Sequence, residues 1–250
     1  MDTANQINSL KQRDSSMISV CMATYNGSKY IKEQIDSILP QLGENDELVI
    51  SDDGSKDDTC SVISSYKDSR IKLLFNNGKH GFIGNFENAL RQCKGDYIFL
   101  SDQDDYWKDN KVAVVMEQLK KYALVIHDAE IVDGEGKSMG HTYYSGMHGS
   151  SSFLMNLWKT RWLGCCMAFS REVLDYCLPF PNKIEGHDYW IGMMGMLKFK
   201  YIFISDVLMC YRRHGGNVSP SGEKSPNSLF YKLFVKRANI LIAIVGRLLS

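Results

Sequence analysis

The chain has 250 residues, is 44% hydrophobic and 23% charged, and carries 29 Lys+Arg against 29 Asp+Glu. That is enough for one large α/β domain or two small ones, and the balanced charge argues against a general nucleic-acid binder, whose surface is basic. Its 7 cysteines form no CxxC pair and mostly lie inside apolar runs, so they read as buried reduced thiols of a cytosolic protein rather than a disulfide framework or a zinc site.

Residues 1–16, "MDTANQINSLKQRDSS", are polar and lack an apolar h-region, so they are expected to form a flexible leader and not a secretory signal. No run has the length of a membrane-spanning helix. "MISVCMATYNG" reads as a strand emptying into a loop at Thr24 to Gly27. In "SKYIKEQIDSILPQ" the apolar residues Tyr30, Ile31, Ile35, Ile38 and Leu39 have helical spacing, and Pro40 stops the helix. "DELVISDDGS" is a second strand, ending in Asp52 and Asp53. A helix is expected from about Asp57 to Tyr66, with Asp57 and Asp58 in its first turn, where the dipole favours anions. "IKLLF" is a third strand. "GNFENALRQCKG" is a helix with Phe86, Leu90 and Cys93 on one face and Gly95 at the C′ position. "DYIFL" is the fourth strand. This βαβαβαβ alternation predicts a mostly parallel sheet with helices on both faces.

Further along, "KDNKVAVVMEQLKKY" is a helix, and "YALVIHDAEIVDGEGKSMG" is a strand with a hairpin around Asp133-Gly134. "SSFLMNLWKTRWLGCCMAFSREVLDYC" suggests a helix, a strand and another helix. "HDYWIGMMGMLKFKYIFISDVLMCYRRHGGN" gives a helix, a strand and a polar loop from Arg212 to Asn217. "SPSGEKSPNS" reads as a linker to a last helix, Leu229 to Leu249. "GKHGFIG" lacks the dinucleotide GxGxxG pattern, so its glycines read as a loop entering a helix, and no Walker A sequence occurs.

Ligands of such sheets bind beyond the carboxyl ends of the strands. Three loops land on that edge: Thr24 to Gly27, Asp52 to Ser55, and Asp102 to Asp105. In "FLSDQDDYW" an apolar strand ends in Asp102, Asp104 and Asp105, a crowding of carboxylates that repel each other and lose water. In an extended segment residues i and i+2 point the same way, so Asp102 and Asp104 share a face and Asp105 points elsewhere. A pair of carboxylates on one face suits Mg²⁺ or Mn²⁺, which also relieves the repulsion. Asp105 and Asp109 are instead expected to cap the following helix.

"ISVCMATYNGSKYIKEQIDSIL", "ELVISDDGSKDDT" and "GDYIFLSDQDDYW", in that order, resemble the nucleotide-sugar-binding half of the family 2 inverting glycosyltransferases of GT-A fold, and Asp102-Gln103-Asp104 matches that family's DxD motif. "GHDYWI" and "YRRHGGN" are similar to a bacterial subgroup often described as rhamnosyltransferases. The resemblance spans roughly residues 17 to 217. It implies an α/β GT-A fold: a Rossmann-like, mostly parallel sheet flanked by helices, with a smaller mixed acceptor-side part and a C-terminal helix. It implies a nucleotide-sugar-binding half at 17–110, an acceptor-binding and catalytic half of the same domain at 111–218, and a linker with an amphipathic helix at 219–250.

The resemblance also implies roles. Ala23, Thr24, Tyr25 and Asp53 line the base and ribose pocket, Ala23 as its floor, Tyr25 as a stacking face and Asp53 as acceptor for a base N–H. Asp102 touches the ribose or the metal, Asp104 ligates Mn²⁺ or Mg²⁺, and His214 completes the metal or diphosphate site. Arg212 or Arg213 helps neutralise the diphosphate. Asp188 is the catalytic base, and His187 stands where relatives carry an acid. An inverting transfer is one displacement, needing one base and a cation that helps the nucleoside diphosphate leave. The implied donor is a nucleoside-diphosphate sugar, dTDP-rhamnose or a UDP-sugar, and the implied acceptor a glycan or lipid-linked glycan of bacterial surface polysaccharide, on the cytoplasmic side of the membrane.

Other readings of the same residues stay open. Asp188 also suits a helix N-terminus, and His214 a solvated loop. An aspartate-nucleophile phosphotransferase is disfavoured by Tyr106 where its signature has Thr or Val, and a non-catalytic sugar-nucleotide-binding subunit is disfavoured by intact Asp104 and Asp188. The last helix is apolar at Phe230, Phe234, Leu241 and Val245, with Lys232, Lys236, Arg237 and Arg247 interspersed. It suits peripheral contact with an anionic membrane surface, or docking on the protein or a second subunit.

Overall fold

A computed structural model describes residues 16–145, 152–158, 162–215 and 235–249. The expected leader up to residue 15, the whole linker, Asn217, Phe230, Lys232 and Phe234 lie outside the described residues.

The chain begins β1 (Ile18–Thr24), α1 (Ile31–Ile38), β2 (Glu47–Asp52), α2 (Thr59–Ser65), β3 (Ile71–Phe75), α3 (Phe82–Leu90) and β4 (Tyr97–Asp102). β5 (Tyr106–Trp107), α4 (Lys111–Leu119), β6 (Leu124–Val132) and β7 (Ser138–Thr142) follow. Then come α5 (Phe153–Trp158), β8 (Met167–Ser170), α6 (Arg171–Cys177), α7 (His187–Lys198), β9 (Tyr201–Arg212) and α8 (Lys236–Leu249).

The strands make one sheet in the order β3-β2-β1-β4-β8-β6-β9-β5, with β7 on β6. β1 pairs in parallel with both β2 and β4, and β2 with β3. The second part is mixed: β8 runs antiparallel to β4 and β6, while β9 runs parallel to β6. β1 and β2 are almost wholly buried, as strands covered on both faces are, whereas β3 at the sheet edge is only half-buried.

Register decides where the chemistry lies. Thr24 pairs with Asp52, and Ala23 with Asp102, so the loops after β1, β2 and β4 leave the sheet side by side. α1 buries Ile31, Ile35 and Ile38 as its spacing requires, and its one buried polar residue, Gln34, binds Ser101 Oγ at 2.7 Å and Asp102 O at 2.9 Å.

Three local expectations are corrected. Asp57 and Asp58 precede α2, and Asp57 Oδ1 accepts the Thr59 N–H at 3.1 Å. α3 starts at Phe82 and ends at Leu90, so Gly95 is not its C′ residue. Its lack of a side chain answers to close packing, since a Cβ there would lie 2.5 Å from Ser19 N. Asp105 caps nothing: α4 has no side-chain cap, and Asp105 Oδ1 accepts the Arg212 N–H at 2.9 Å.

Among the described residues no helix is long and apolar enough to cross a membrane. α8 lays Ile240 and Ile244 on the protein, and Arg247 donates to Tyr176 O and Leu178 O at 3.0 and 2.7 Å. The expected stripe through Leu241 and Val245 is therefore not the docked face: both are exposed, together with Ile242, Leu248 and Leu249.

Candidate active site

The loop after β1 is stitched to the loop after β2. Asn26 N–H donates to Ser55 Oγ at 2.8 Å, Lys56 N–H to Asn26 Oδ1 at 2.7 Å, and Gly27 N–H to Thr59 Oγ1 at 2.8 Å. Asn26 takes the left-handed conformation at φ 49, which its short side chain tolerates. Thr24 is buried, and the Tyr25 side chain stands 53% exposed beside it.

The twin aspartates at the end of β2 divide their work. Asp52 turns inward and accepts the N–H groups of Gly54 and Ser55 at 3.0 and 2.9 Å, closing the turn. Asp53 accepts Asn76 Nδ2–H at 2.7 Å and Gly81 N–H at 2.7 Å, with His80 Nδ1 at 2.8 Å. Burial alone would raise the Asp53 pKa, but the bonds from Gly81, His80 and Asn76 outweigh it and hold the carboxylate ionised below its usual range.

The acidic turn departs from simple alternation. β4 ends at Asp102, and Gln103-Asp104 form a turn, so the i, i+2 rule no longer applies beyond Asp102. The ligating atoms within 4.8 Å of one another belong to Asp102, Asp105 and Cys165. Asp104 instead meets His214, whose Nε2 lies 2.9 Å from Asp104 Oδ2 across a sequence separation of 110. Burial, then the charges of Asp104 and Asp188, push the Asp102 pKa up to about 7. Behind the turn Lys111 is fully buried, donates to Cys165 O at 2.8 Å and lies 4.1 Å over the Trp107 ring. Its pKa falls to about 8 because burial outweighs its acidic neighbours.

Asp188 stands in the first turn of α7, with Tyr189 N–H bonded to its Oδ1 at 2.7 Å. The segment Gly164-Cys165 joins it to the acidic turn. A Cβ on Gly164 would lie 3.4 Å from Asp188 Cβ, while Cys165 Sγ sits with Asp102 and Asp105. Residues from β1, β2, β4, α7 and the end of β9 thus converge on one sheet edge.

Residues 19–178 match the family model described as "Glycosyl transferase family 2". The chain belongs to that family. This transferase is 40% identical over 242 residues to the UDP-Glc:alpha-D-GlcNAc-diphosphoundecaprenol beta-1,3-glucosyltransferase WfaP of Escherichia coli, covering 91% of this chain and 86% of that protein. Its structure is similar to that of S. aureus TarS 1-349 in complex with UDP-GlcNAc, with a TM-score of 0.69 at 19% identity, covering 91% of this chain and 67% of that one. It is also similar to the mannosyltransferase PcManGT from Pyrobaculum calidifontis in complex with GDP-Man and Mn²⁺, with a TM-score of 0.57 at 19% identity, covering 98% and 70%. The fold is GT-A.

In the transferase, Ala23, Thr24, Tyr25, Asp53, Asp102, Asp104, Asp188 and His214 lie along this edge. Arg212, expected to help neutralise the diphosphate, lies against the acidic turn. Its side chain is 3% exposed and donates to Asp104 O at 2.9 Å, Gly134 O at 3.2 Å and Glu33 Oε2 at 2.5 Å. Arg212 supports the acidic turn from beneath. His187 is buried and stacked on Phe86 with centroids 3.9 Å apart, and neither ring nitrogen has a hydrogen-bond partner among the described residues. Burial lowers its pKa against the pull of Asp188, which favours the neutral ring.

A hard divalent cation fits the donors present. Asp104 and His214 offer carboxylate oxygen and imidazole nitrogen side by side, and the surrounding Asp102 and Asp105 add carboxylates in excess of the buried Lys111 behind them. Sequence reasoning gave no role to Lys111, Asn76, His80 and Gln103. None of them has a signal in local periodicity, because each acts on a partner from a distant segment.

Proposed function

We propose that this glycosyltransferase moves glucose from UDP-glucose, by a single inverting displacement, to a hydroxyl of a lipid-diphosphate-linked GlcNAc acceptor. The observation that carries the reading is the meeting of Asp188 with the acidic turn on the carboxyl edge of the parallel strands, each supplied by a different part of the chain. The choice of UDP-glucose over dTDP-rhamnose, and of the acceptor, is supported by the name of the relative that shares 40% identity along most of both chains.

Tyr25, exposed at the pocket mouth, stacks on the uracil, with Ala23 and Thr24 beneath it. Asp53, already held ionised, accepts the base N–H. Asp102 meets the ribose. Asp104 and His214 would hold Mn²⁺ or Mg²⁺, which supplies positive charge to the departing diphosphate. Asp188 takes the proton of the acceptor hydroxyl as its oxygen attacks the anomeric carbon opposite the leaving group. The C1–O bond breaks and its electron pair departs with UDP, so the configuration inverts and one carboxylate suffices. The exposed apolar side of α8, with Leu241, Ile242, Val245, Leu248 and Leu249, rests on the cytoplasmic face of the membrane, where such an acceptor resides.

The test is product formation, followed by mass spectrometry, from UDP-glucose and a short-chain lipid-diphosphate-GlcNAc. Wild type with Mn²⁺ should yield the disaccharide lipid, and chelator or Asp104→Asn should suppress it. Full activity in chelator, or transfer from dTDP-rhamnose alone, overturns the reading.

A further inference from the structure

The middle residue of the acidic turn is tied to the base loop by its side chain. Gln103 Oε1 accepts from Thr24 Oγ1 at 2.6 Å and from Tyr25 N–H at 2.9 Å, while Gln103 Nε2 donates to Tyr25 O at 3.0 Å. The orientation of the amide is settled by its partners: turned over, it would face N–H with NH₂ and carbonyl with carbonyl. The loop is shaped around this group, since a Cβ on Gly27 would lie 2.2 Å from Gln103 Oε1.

The main chain on either side of Gln103 is anchored. Asp102 O is held by Gln34 Nε2 at 2.9 Å and Asp104 O by Arg212 Nε at 2.9 Å. The turn therefore has little freedom to adjust by itself. A shift of Asp104 toward a ligand is passed on through the neighbouring amide to Thr24 and Tyr25.

We infer that Gln103 is a positioning residue that couples occupation of the Asp104–His214 cation site to the arrangement of the Thr24–Tyr25 base loop. The inference rests on the metal-dependent reading above. By linkage, Mn²⁺ must tighten UDP by the factor by which UDP tightens Mn²⁺, and Gln103 carries that factor.

The experiment is calorimetric titration of UDP into wild type, Gln103→Ala and Gln103→Glu, without metal and at saturating Mn²⁺. Wild type should bind UDP roughly tenfold or more tighter with Mn²⁺, within the ~5–150-fold usual for coupled sites. Gln103→Ala should bring that ratio to within about threefold of unity while metal-free UDP affinity moves far less. Gln103→Glu keeps both acceptor bonds and should restore an intermediate ratio. Thr24→Val, which removes one bond and leaves the turn intact, should lower the ratio in the same direction and serves if Gln103→Ala does not fold. A ratio in Gln103→Ala equal to wild type overturns the coupling. So does weaker UDP binding by the same factor with and without metal, since that marks mere loosening. If Mn²⁺ has no effect on wild type and turnover survives chelator, the metal-dependent reading falls together with the coupling.

Discussion

Exchanging the Asp188 carboxylate for an amide removes its charge and hardly alters its shape, so Asp188→Asn tests the proposed base. Turnover should fall by about 10²–10⁴-fold while UDP affinity stays within about twofold, as read by steady-state kinetics beside calorimetry. Turnover near wild type would mean the proton leaves by another route. A second residue-scale expectation concerns His127, buried in β6 with Nδ1 2.8 Å from Asp128 O. Burial, then the Lys111 charge, lower its pKa well below the ordinary histidine value. A proton thus binds the unfolded chain more readily than the fold. The stability tied to neutral His127 is complete above about pH 6.5 and is lost as pH falls below it, by roughly 1.4 kcal/mol per unit at most. His127→Phe should lose less stability than wild type between pH 7.5 and 5.0 in urea titrations, and an identical loss would remove His127 as the cause. At this scale the sequence revealed which residues carry charge but not which way they turn. The resemblance singled out Asp53 from its neighbour Asp52, but only the structure shows that Asp52 closes a turn while Asp53 is held by Asn76, His80 and Gly81.

α3 packs directly on the loop that holds Asp53. A Cβ on Gly84 would lie 1.9 Å from Lys79 O, and that carbonyl also accepts Asn76 Nδ2–H at 2.9 Å. The loop from Asn76 to Gly81 holds Asp53, so Gly84→Ala must push the loop away from α3. It should cost about 1–3 kcal/mol of stability and weaken UDP binding together, by denaturation and calorimetry. Unchanged UDP affinity would uncouple this loop from the base pocket. The spacing of apolar residues located α3 in the chain but not its approach to the loop, because helical periodicity carries no information about a neighbour's backbone. For α8 the pattern carried half the answer: one face is docked through Ile240, Ile244 and Arg247, and the other is open. Ile242→Glu with Val245→Glu on the open face should reduce flotation with anionic vesicles by about tenfold or more and spare turnover on a water-soluble acceptor. Equal flotation of variant and wild type would exclude a membrane role for this face.

Across the whole molecule, ligand binding at the sheet edge must appear as stability, since the base loop, the acidic turn and α7 meet there only when folded. UDP with Mn²⁺ at about 100 times the dissociation constant should add about 2.7 kcal/mol, a rise of roughly 5–10 °C in a chain of this size. Asp104→Asn should keep the shift from UDP alone and lose the increment that needs metal. An undiminished increment would place the cation elsewhere.

The alternation of short apolar runs with helical spacing, and the acids ending two of the strands, sufficed by themselves to specify the α/β class and the sheet edge on which the candidate residues gather, because burial on both sheet faces leaves a local imprint on composition. Only the tertiary structure decided that Asp104 pairs with His214, that Asp102 and Asp105 share Cys165, that Arg212 is a support, and that Gln103 bonds the base loop. These contacts join residues from distant strands and loops. Their geometry is set by strand register and by a turn that breaks alternation, and neither leaves a periodic trace in the chain.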